Sequence, residues 1–103
     1  MRKFKVALSL AAQQDFDDYI DNIYYNYKAP LTAKKHYEGL VETLEKLSDT
    51  ADCFVIQTSQ SIVDVYGHFV RRVNYKKMAI LYVTHADTAY ILRIIPQSMI
   101  SEQ

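Results

Sequence analysis

The chain has 103 residues, of which 50% are hydrophobic, and it contains two glycines, two prolines and one cysteine. This length favours a single domain with one core, and the composition excludes a disordered chain, an internal disulfide and a glycine-rich phosphate loop. Twelve basic side chains balance 12 acidic ones, so the formal net charge is zero and any charged surface must arise from uneven placement of these residues.

The N-terminal part of the sequence predicts a strand followed by a helix. Residues 3–9 alternate between polar and apolar side chains, as in a strand with one buried face. From Ser9, whose hydroxyl can cap a helix, apolar residues recur at helical spacing as far as Tyr27. The pair Ala29 and Pro30 ends this helix, because the residue before a proline is pushed out of the helical conformation.

A second helix is predicted over residues 30–48, since Pro30 suits a first helical turn and apolar residues again recur at helical spacing. The short break between two amphipathic helices predicts an antiparallel helical hairpin. The next stretch, residues 49–64, has no clear periodicity. Within it, residues 53–56 fit either a short strand or a buried loop, and residues 57–61 fit a polar connection.

The last third of the chain predicts three strands, at residues 68–75, 78–84 and 88–95, joined by hairpin turns. The element order is therefore β-α-α-β-β-β. We interpret it as an α+β domain, an antiparallel sheet packed on one face by a two-helix hairpin, which forms one unit over residues 1–103. No apolar run approaches the length of a membrane span, and the N-terminal apolar stretch is too short for a signal peptide, so we expect a cytoplasmic protein.

The charges are placed unevenly along the chain. Residues 10–30 carry four aspartates against one lysine, whereas residues 67–77 carry four cations and no acid. These cations are Arg71, Arg72, Lys76 and Lys77. A basic strand beside acidic helices can steer an anionic partner to the sheet, but the same cations also fit the solvated end of an edge hairpin, where lysines block aggregation.

Strand alternation separates the two arginines. Arg71 shares a face with Val73 and Tyr75, and Arg72 lies on the opposite face. Burying an unpaired guanidinium is costly, so at least one arginine points to the open face of the sheet or to an edge. The apolar neighbours do not indicate which one.

No motif for a metal, a cofactor or a nucleophile is present. The three histidines and Cys53 lack metal-ligand spacing, and the four aspartates of the first helix are interpreted as a solvated face, so we expect no metal and no cofactor.

A metal-independent ribonuclease would need a general base, a general acid and cations. The local groups that permit this chemistry, without pointing to it, are Tyr75, His68, Arg71, Arg72, Lys76 and Arg93.

Three segments resemble a known family in their order and spacing. They are KVALSLAAQQDFDDYIDNIY at residues 5–24, APLTAKKHYEGLVETLEKL at residues 29–47, and GHFVRRVNYKKMAILYVTHADTAYILRIIPQ at residues 67–97. They are similar to the first strand and helix, the second helix and the sheet of the RelE/ParE toxin superfamily, the toxins of type II toxin–antitoxin systems, also called plasmid stabilisation proteins. The resemblance covers nearly the full chain.

The resemblance implies a small toxin encoded beside an antitoxin, whose C-terminal segment wraps the toxin and masks its basic surface. Some family members cleave mRNA on the ribosome, while ParE-type members act on DNA gyrase without being hydrolases. The family has a basic residue in the first of the three consecutive strands (the meander), and Arg72 occupies that position here. The arginine that mRNA-cleaving members carry in the middle strand is replaced by Ala79. Residues 96–100, just after the last strand, include no charged and no aromatic side chain.

These departures favour a ParE-like toxin that inhibits growth by binding a target such as DNA gyrase and is neutralised by its cognate antitoxin, rather than an enzyme. Two alternatives stay open: a diverged, non-toxic partner-binding module, and a RelE-like, ribosome-dependent mRNA endoribonuclease with Arg72 and Tyr75 as catalytic candidates. The residues expected to bind the antitoxin or the target are Arg71, Arg72, Tyr75, Lys76, Lys77 and Arg93. A homodimer contact through exposed tyrosines is a further expectation.

Overall fold

The computed structural model describes residues 3–100, so residues 1–2 and 101–103 of the expected single domain lie outside the described part. The elements in chain order are β1 (Lys5–Leu8), α1 (Leu10–Asp21), a π-helical turn (Asn22–Asn26), α2 (Pro30–Thr50), α3 (Gln60–Tyr66), β2 (Arg71–Tyr75), β3 (Met78–His85), β4 (Thr88–Pro96) and a 3-10 turn (Gln97–Met99). The α+β class and the order of the two long helices and four strands are confirmed, and α3 is an addition. No helix within residues 3–100 is long and apolar enough to span a membrane.

The four strands form one sheet in the order β1-β4-β3-β2. The pairs β2–β3 and β3–β4 are antiparallel, whereas β1 runs parallel to β4. The prediction of a wholly antiparallel sheet is therefore wrong for β1, and the sheet is mixed. Because β1 pairs with the last strand of the chain and not with its neighbour in sequence, no hairpin fixes its direction.

The helical hairpin of α1 and α2 packs on one face of the sheet, as predicted. The hydroxyl of Ser9 accepts a hydrogen bond from the Ala12 amide at 3.0 Å, so the expected N-cap of α1 is confirmed. Both helices bury apolar side chains against the middle of the sheet. The buried residues of this hairpin-side core include Phe16, Leu40, Leu44, Leu47, Ile80, Tyr82, Ile91 and Ile94.

A second, smaller core lies on the opposite face of the sheet. There α3 and the C-terminal segment cover the buried residues Ile62, Val70, Ala79, Leu81, Ile95 and Ile100. The sequence predicted only a polar connection where α3 begins, because this short helix buries one residue, Ile62, and has no periodic stripe. The face away from the hairpin is therefore partly covered.

Two tight turns connect the last three strands. Pairing of Tyr75 with Met78 leaves two residues in the β2–β3 turn, and Lys76 there has a φ of 51°. Ala86, in the β3–β4 turn, has a φ of 53°. Left-handed residues are what two-residue hairpins require, so the turn places Lys76 and Lys77 at one end of the sheet.

Candidate functional site

Strand register settles which arginine faces which core. Arg71 lies opposite Tyr82, a residue of the hairpin-side core, and Arg72 lies opposite Leu81, a residue of the second core. Residues directly opposite each other in a ladder share a face. Arg71 therefore lies on the hairpin side, and Arg72 on the face that α3 partly covers.

Arg71 holds the loop that follows α2. Its Nη1 donates to the carbonyl oxygen of Asp52 at 3.3 Å and to that of Phe54. Ile56 in the same loop pairs with Arg71 as an isolated antiparallel bridge, so residues 53–56 are a loop with one bridging residue and not a full strand. The Arg71 guanidinium thus holds the loop that follows α2 against strand β2.

Arg72 makes contacts of a different kind. Its Nε donates to the Asn74 side-chain oxygen at 2.9 Å, and its Nη2 donates to that of Gln97 at 3.4 Å. Both partners are uncharged amides, and the side chain is half-buried. Arg72 therefore lies on the face away from the hairpin, and so does Arg93, which is opposite Leu81 in the ladder with β4.

Arg93 is bound by α1. Its Nε and Nη2 donate to the two carboxylate oxygens of Asp15 at 2.6 and 2.9 Å, and the backbone N–H of Ile94 donates to the same carboxylate at 3.0 Å. The hydrogen bond from Asp15 raises the pKa of Arg93 above its ordinary value. The interpretation of the first helix's aspartates as a solvated face is therefore wrong for Asp15, which is only 14% exposed.

Tyr75 lies in a cluster of aromatic and ionisable side chains between the hairpin and the β2–β3 turn. Its ring meets the His36 ring edge-on at 6.0 Å between centroids, and Lys76 Nζ lies 5.8 Å from its centroid. The hydroxyl of Tyr19 lies 2.6 Å from His36 Nδ1. Sequence reasoning placed Tyr75 and Lys76 in a site but missed Tyr19 and His36.

The ionisation of the cluster follows from burial. Burial raises the pKa of Tyr19 and of Tyr75, and it lowers the pKa of His36, which Lys76 lowers further. At neutral pH His36 is therefore uncharged, and its Nδ1 can accept the hydrogen bond that the protonated Tyr19 hydroxyl donates. The cluster offers uncharged hydrogen-bonding groups beside the ammonium group of Lys76.

The contact between Tyr19 and His36 could not be read from sequence spacing. Two antiparallel helices bring together residues at similar distances from the break between them. Tyr19 lies 10 residues before Ala29, whereas His36 lies 6 residues after Pro30. Phe16 and Tyr37, whose ring centroids are 5.4 Å apart, are also at unequal distances from the break. The predicted hairpin therefore placed the two helices side by side without pairing these residues.

A groove of about 460 Å³ opens beside this cluster, between the tip of the helical hairpin and the β2–β3 turn. Its walls combine aromatic and aliphatic side chains with two lysines. The lining residues are Tyr19, Asn22, Ile23, Tyr27, Ala29, Thr32, His36, Lys76 and Lys77. The structure thus brings Tyr75, Lys76 and Lys77 to one site, while Arg72 lies on the other face and Arg93 is bound to α1.

We expect Gly39→Ala to lower the free energy of unfolding by about 1 kcal/mol, although alanine normally stabilises a helix interior over glycine by ~1 kcal/mol. Gly39 lies in the middle of α2, and a Cβ there would come within 2.8 Å of two ring carbons of Tyr75. The ring would have to move away from His36. Urea unfolding of the variant measures the loss.

The same substitution in a Tyr75→Ala background provides the control. Without the ring, Gly39→Ala should stabilise the protein, because only the gain in helix propensity remains. If Gly39→Ala has the same sign in both backgrounds, Tyr75 does not pack on α2 as described.

Within residues 3–100 no three histidine, cysteine, aspartate or glutamate side chains lie together in a way that could hold a metal ion. Cys53 is exposed. The groups gathered at the groove are therefore tyrosine, histidine and lysine side chains, which suit recognition through hydrogen bonds, ring contacts and charge.

The α+β fold with a helical hairpin over a β1-β4-β3-β2 sheet is of the RelE/ParE type, as the sequence resemblance implied. One similar solved chain comes from the chromosomal ParDE TA system of P. aeruginosa, with 22% identity, a TM-score of 0.72, and coverage of 91% of this chain and 96% of that one. A copper-bound mutant toxin from Helicobacter pylori has 17% identity, a TM-score of 0.57, and coverage of 93% and 97%. No family model and no curated protein sequence matches. These likenesses establish the fold.

Proposed function

We propose that this protein is the toxin of a type II toxin–antitoxin pair, of the ParE-like kind that blocks growth by binding a target such as DNA gyrase and is held inactive by a cognate antitoxin in the cytoplasm. The observation that carries the proposal is the shared fold with a chain of a ParDE TA system, which extends over 91% of this protein.

The distribution of charge supports a partner with an acidic segment. Arg72 lies on one face of the edge strand β2, and Lys76 and Lys77 are exposed in the turn that follows. A cationic strip along a sheet edge accelerates association with an anionic segment, and it makes that association sensitive to salt.

Two observations favour a target-binding toxin over a ribonuclease. The catalytic candidates Arg72 and Tyr75 lie on opposite faces of β2, since Tyr75 packs with the hairpin-side core and Arg72 lies opposite Leu81. Catalysis on one phosphodiester needs its groups to converge on the same atoms. Ala79, at the position where the mRNA-cleaving relatives carry an arginine, is fully buried.

The decisive experiment is induced expression of the chain alone and together with the small gene that neighbours it. Growth arrest that the neighbour relieves, with inhibited supercoiling by purified gyrase and intact cellular mRNA in primer extension, is the expected result. Undisturbed growth would favour the non-toxic binding module. Codon-specific cuts that vanish in Arg72→Ala or His36→Ala would instead establish a ribonuclease.

A charge reversal tests whether the antitoxin meets the β2 face. We expect Arg72→Glu to slow association with the antitoxin about tenfold at low salt, and this difference should shrink as the ionic strength rises. Lys34→Glu on α2, an equal charge change at an exposed position, should alter the rate by less than about twofold. Stopped-flow association rates over a series of salt concentrations give both numbers. Equal effects of the two substitutions would exclude the β2 face as the surface that the antitoxin contacts.

A further inference from the structure

The groove beside the hairpin tip is a second surface, on the other side of the sheet from Arg72. We propose that it binds a short peptide segment of a partner protein that carries a bulky apolar side chain next to a carboxylate. The groove shares Lys76 and Lys77 with the cationic strip described above, but its other walls lie on the hairpin side. The inference goes beyond the proposed toxin function, because it holds for any partner that presents such a segment.

The walls of the groove fit an apolar side chain. Its volume of about 460 Å³ lies within the ~300–1,000 Å³ of typical ligand pockets. The aliphatic side chains of Ile23 and Ala29 line it together with the rings of Tyr19 and Tyr27. An inserted apolar side chain would therefore leave water for a mostly apolar surrounding.

The rim of the groove continues into exposed aromatic residues at the hairpin tip. Tyr25 is 67% exposed, Tyr27 73% and the neighbouring Leu31 78%. Exposed large apolar side chains mark interaction surfaces, and tyrosine is the residue type that such surfaces favour. Tyr27 also lines the groove, so its exposed ring is available to the same partner segment.

The opposite rim supplies the charge. Lys76 and Lys77 are both exposed, and neither forms an ion pair within residues 3–100. The Nζ of Lys76 lies 5.8 Å from the centroid of the Tyr75 ring. Two ammonium groups at one end of an apolar groove complement a carboxylate that adjoins an apolar anchor.

The acidic side chains of α1 disfavour a nucleic acid as the occupant. Asp17, Asp18 and Asp21 are exposed on the helix that leads into the groove-lining residue Asn22. A polyphosphate chain that reached the lysines would run past these carboxylates and be repelled, whereas a peptide can confine its negative charge to the lysine end. The tyrosine hydroxyls and neutral His36 can then bond the peptide backbone.

The test uses a blocked hexapeptide of sequence Ser-Gln-Leu-Phe-Glu-Asp, whose two carboxylates lie at one end, and the isotope-labelled chain. In NMR titrations the amide signals of the groove residues should shift, whereas a peptide with serine in place of leucine and phenylalanine should leave them in place. The double variant Lys76→Glu/Lys77→Glu should weaken the dissociation constant by at least about tenfold. Lys5→Glu, at an exposed position in β1 at the far edge of the sheet, should change it less than about twofold.

Two further measurements make the outcome decisive. Tyr27→Ser, at an exposed position that lines the groove, should also weaken peptide binding, and unchanged circular dichroism spectra should show that all variants fold. Groove signals that do not move with the peptide, or that move more strongly with oligouridylate, would overturn the proposal. Growth arrest on induction reports on the toxin proposal alone, so the two proposals can fail separately.

Discussion

Raising the pH from about 9 to about 12 should lower the free energy of unfolding by roughly 3 kcal/mol, and Tyr82→Phe should remove most of this loss. Tyr82 is fully buried in β3, and its hydroxyl donates to the Ala51 carbonyl at 2.7 Å. Burial raises the pKa of Tyr82 from 10.0 to about 12, with Arg71 opposing the change. Urea unfolding at a series of alkaline pH values measures the effect.

The sign follows from counting protons in the two states. Above about pH 10 the phenol of the unfolded chain loses its proton, while the buried hydroxyl of Tyr82 keeps its own until about pH 12. The unfolded state therefore binds fewer protons within this window, and stability falls as the pH rises through it. Tyr19 and Tyr75, whose pKa values are also raised by burial, add to the loss in the same direction.

At neutral pH Tyr82→Phe should cost about 1–2 kcal/mol, because the Ala51 carbonyl at the end of α2 loses its donor in a buried place. Tyr90→Phe, an exposed ring in β4, is the matched control and should leave both the neutral stability and its alkaline loss unchanged. An alkaline loss of equal size in the wild type and in Tyr82→Phe would show that another group causes it.

The elements that the sequence predicted well are those with long periodic patterns. The helical hairpin and the three-strand meander each carry enough apolar residues at one spacing to decide their type. The parallel pairing of β1 with β4 was not predictable in this way, because it joins the two ends of the chain. α3 was missed because seven residues with one buried side chain give no recognisable period.

The site was predicted in part, and the limits have physical causes. Strand alternation placed Arg71 and Arg72 on opposite faces of β2. It did not show which face the hairpin covers, because both faces carry apolar residues. On the face away from the hairpin these include Val70, which is buried in the same core as Ile62 of α3. The partner of Arg93 was hidden because Asp15 is 78 residues away in sequence. Lys76 and Lys77 were placed correctly at a hairpin turn, because turn signals are local.

The start of α1, which includes Asp15, covers the part of β4 that lies beyond the end of the short strand β1. β1 ends at Leu8, opposite Ile91, so the next residues of β4 pair with β3 on one side and have no strand on the β1 side. The backbone N–H of Ser9 donates to the Ile91 carbonyl at 2.9 Å, and the Ser9 hydroxyl donates to the Leu92 carbonyl at 2.9 Å. Asp15 then accepts from the Ile94 N–H. The start of α1 therefore replaces the missing length of β1.

We expect Asp15→Asn to lower the free energy of unfolding by about 2–3 kcal/mol. The change removes two charge-assisted hydrogen bonds to the Arg93 guanidinium and weakens the cap on Ile94, and it leaves a guanidinium that is only 37% exposed without its counter-charge. Guanidinium chloride unfolding measures the loss. Asp18→Asn is the matched control, because that exposed carboxylate on the same helix accepts a hydrogen bond from Gln14, also exposed. Its change should stay within about 0.5 kcal/mol.

A double-mutant cycle separates this ion pair from a general sensitivity of α1. Asp15→Asn combined with Arg93→Gln should cost less than the sum of the two single changes, because each of them removes the same interaction. Additive costs would show that the two side chains act independently. Arg93→Gln should also leave the rate of antitoxin association close to that of the wild type, in contrast to Arg72→Glu. We expect this difference because the Arg93 guanidinium already binds the Asp15 carboxylate, whereas Arg72 has amide partners and is the cation that we propose to meet the antitoxin.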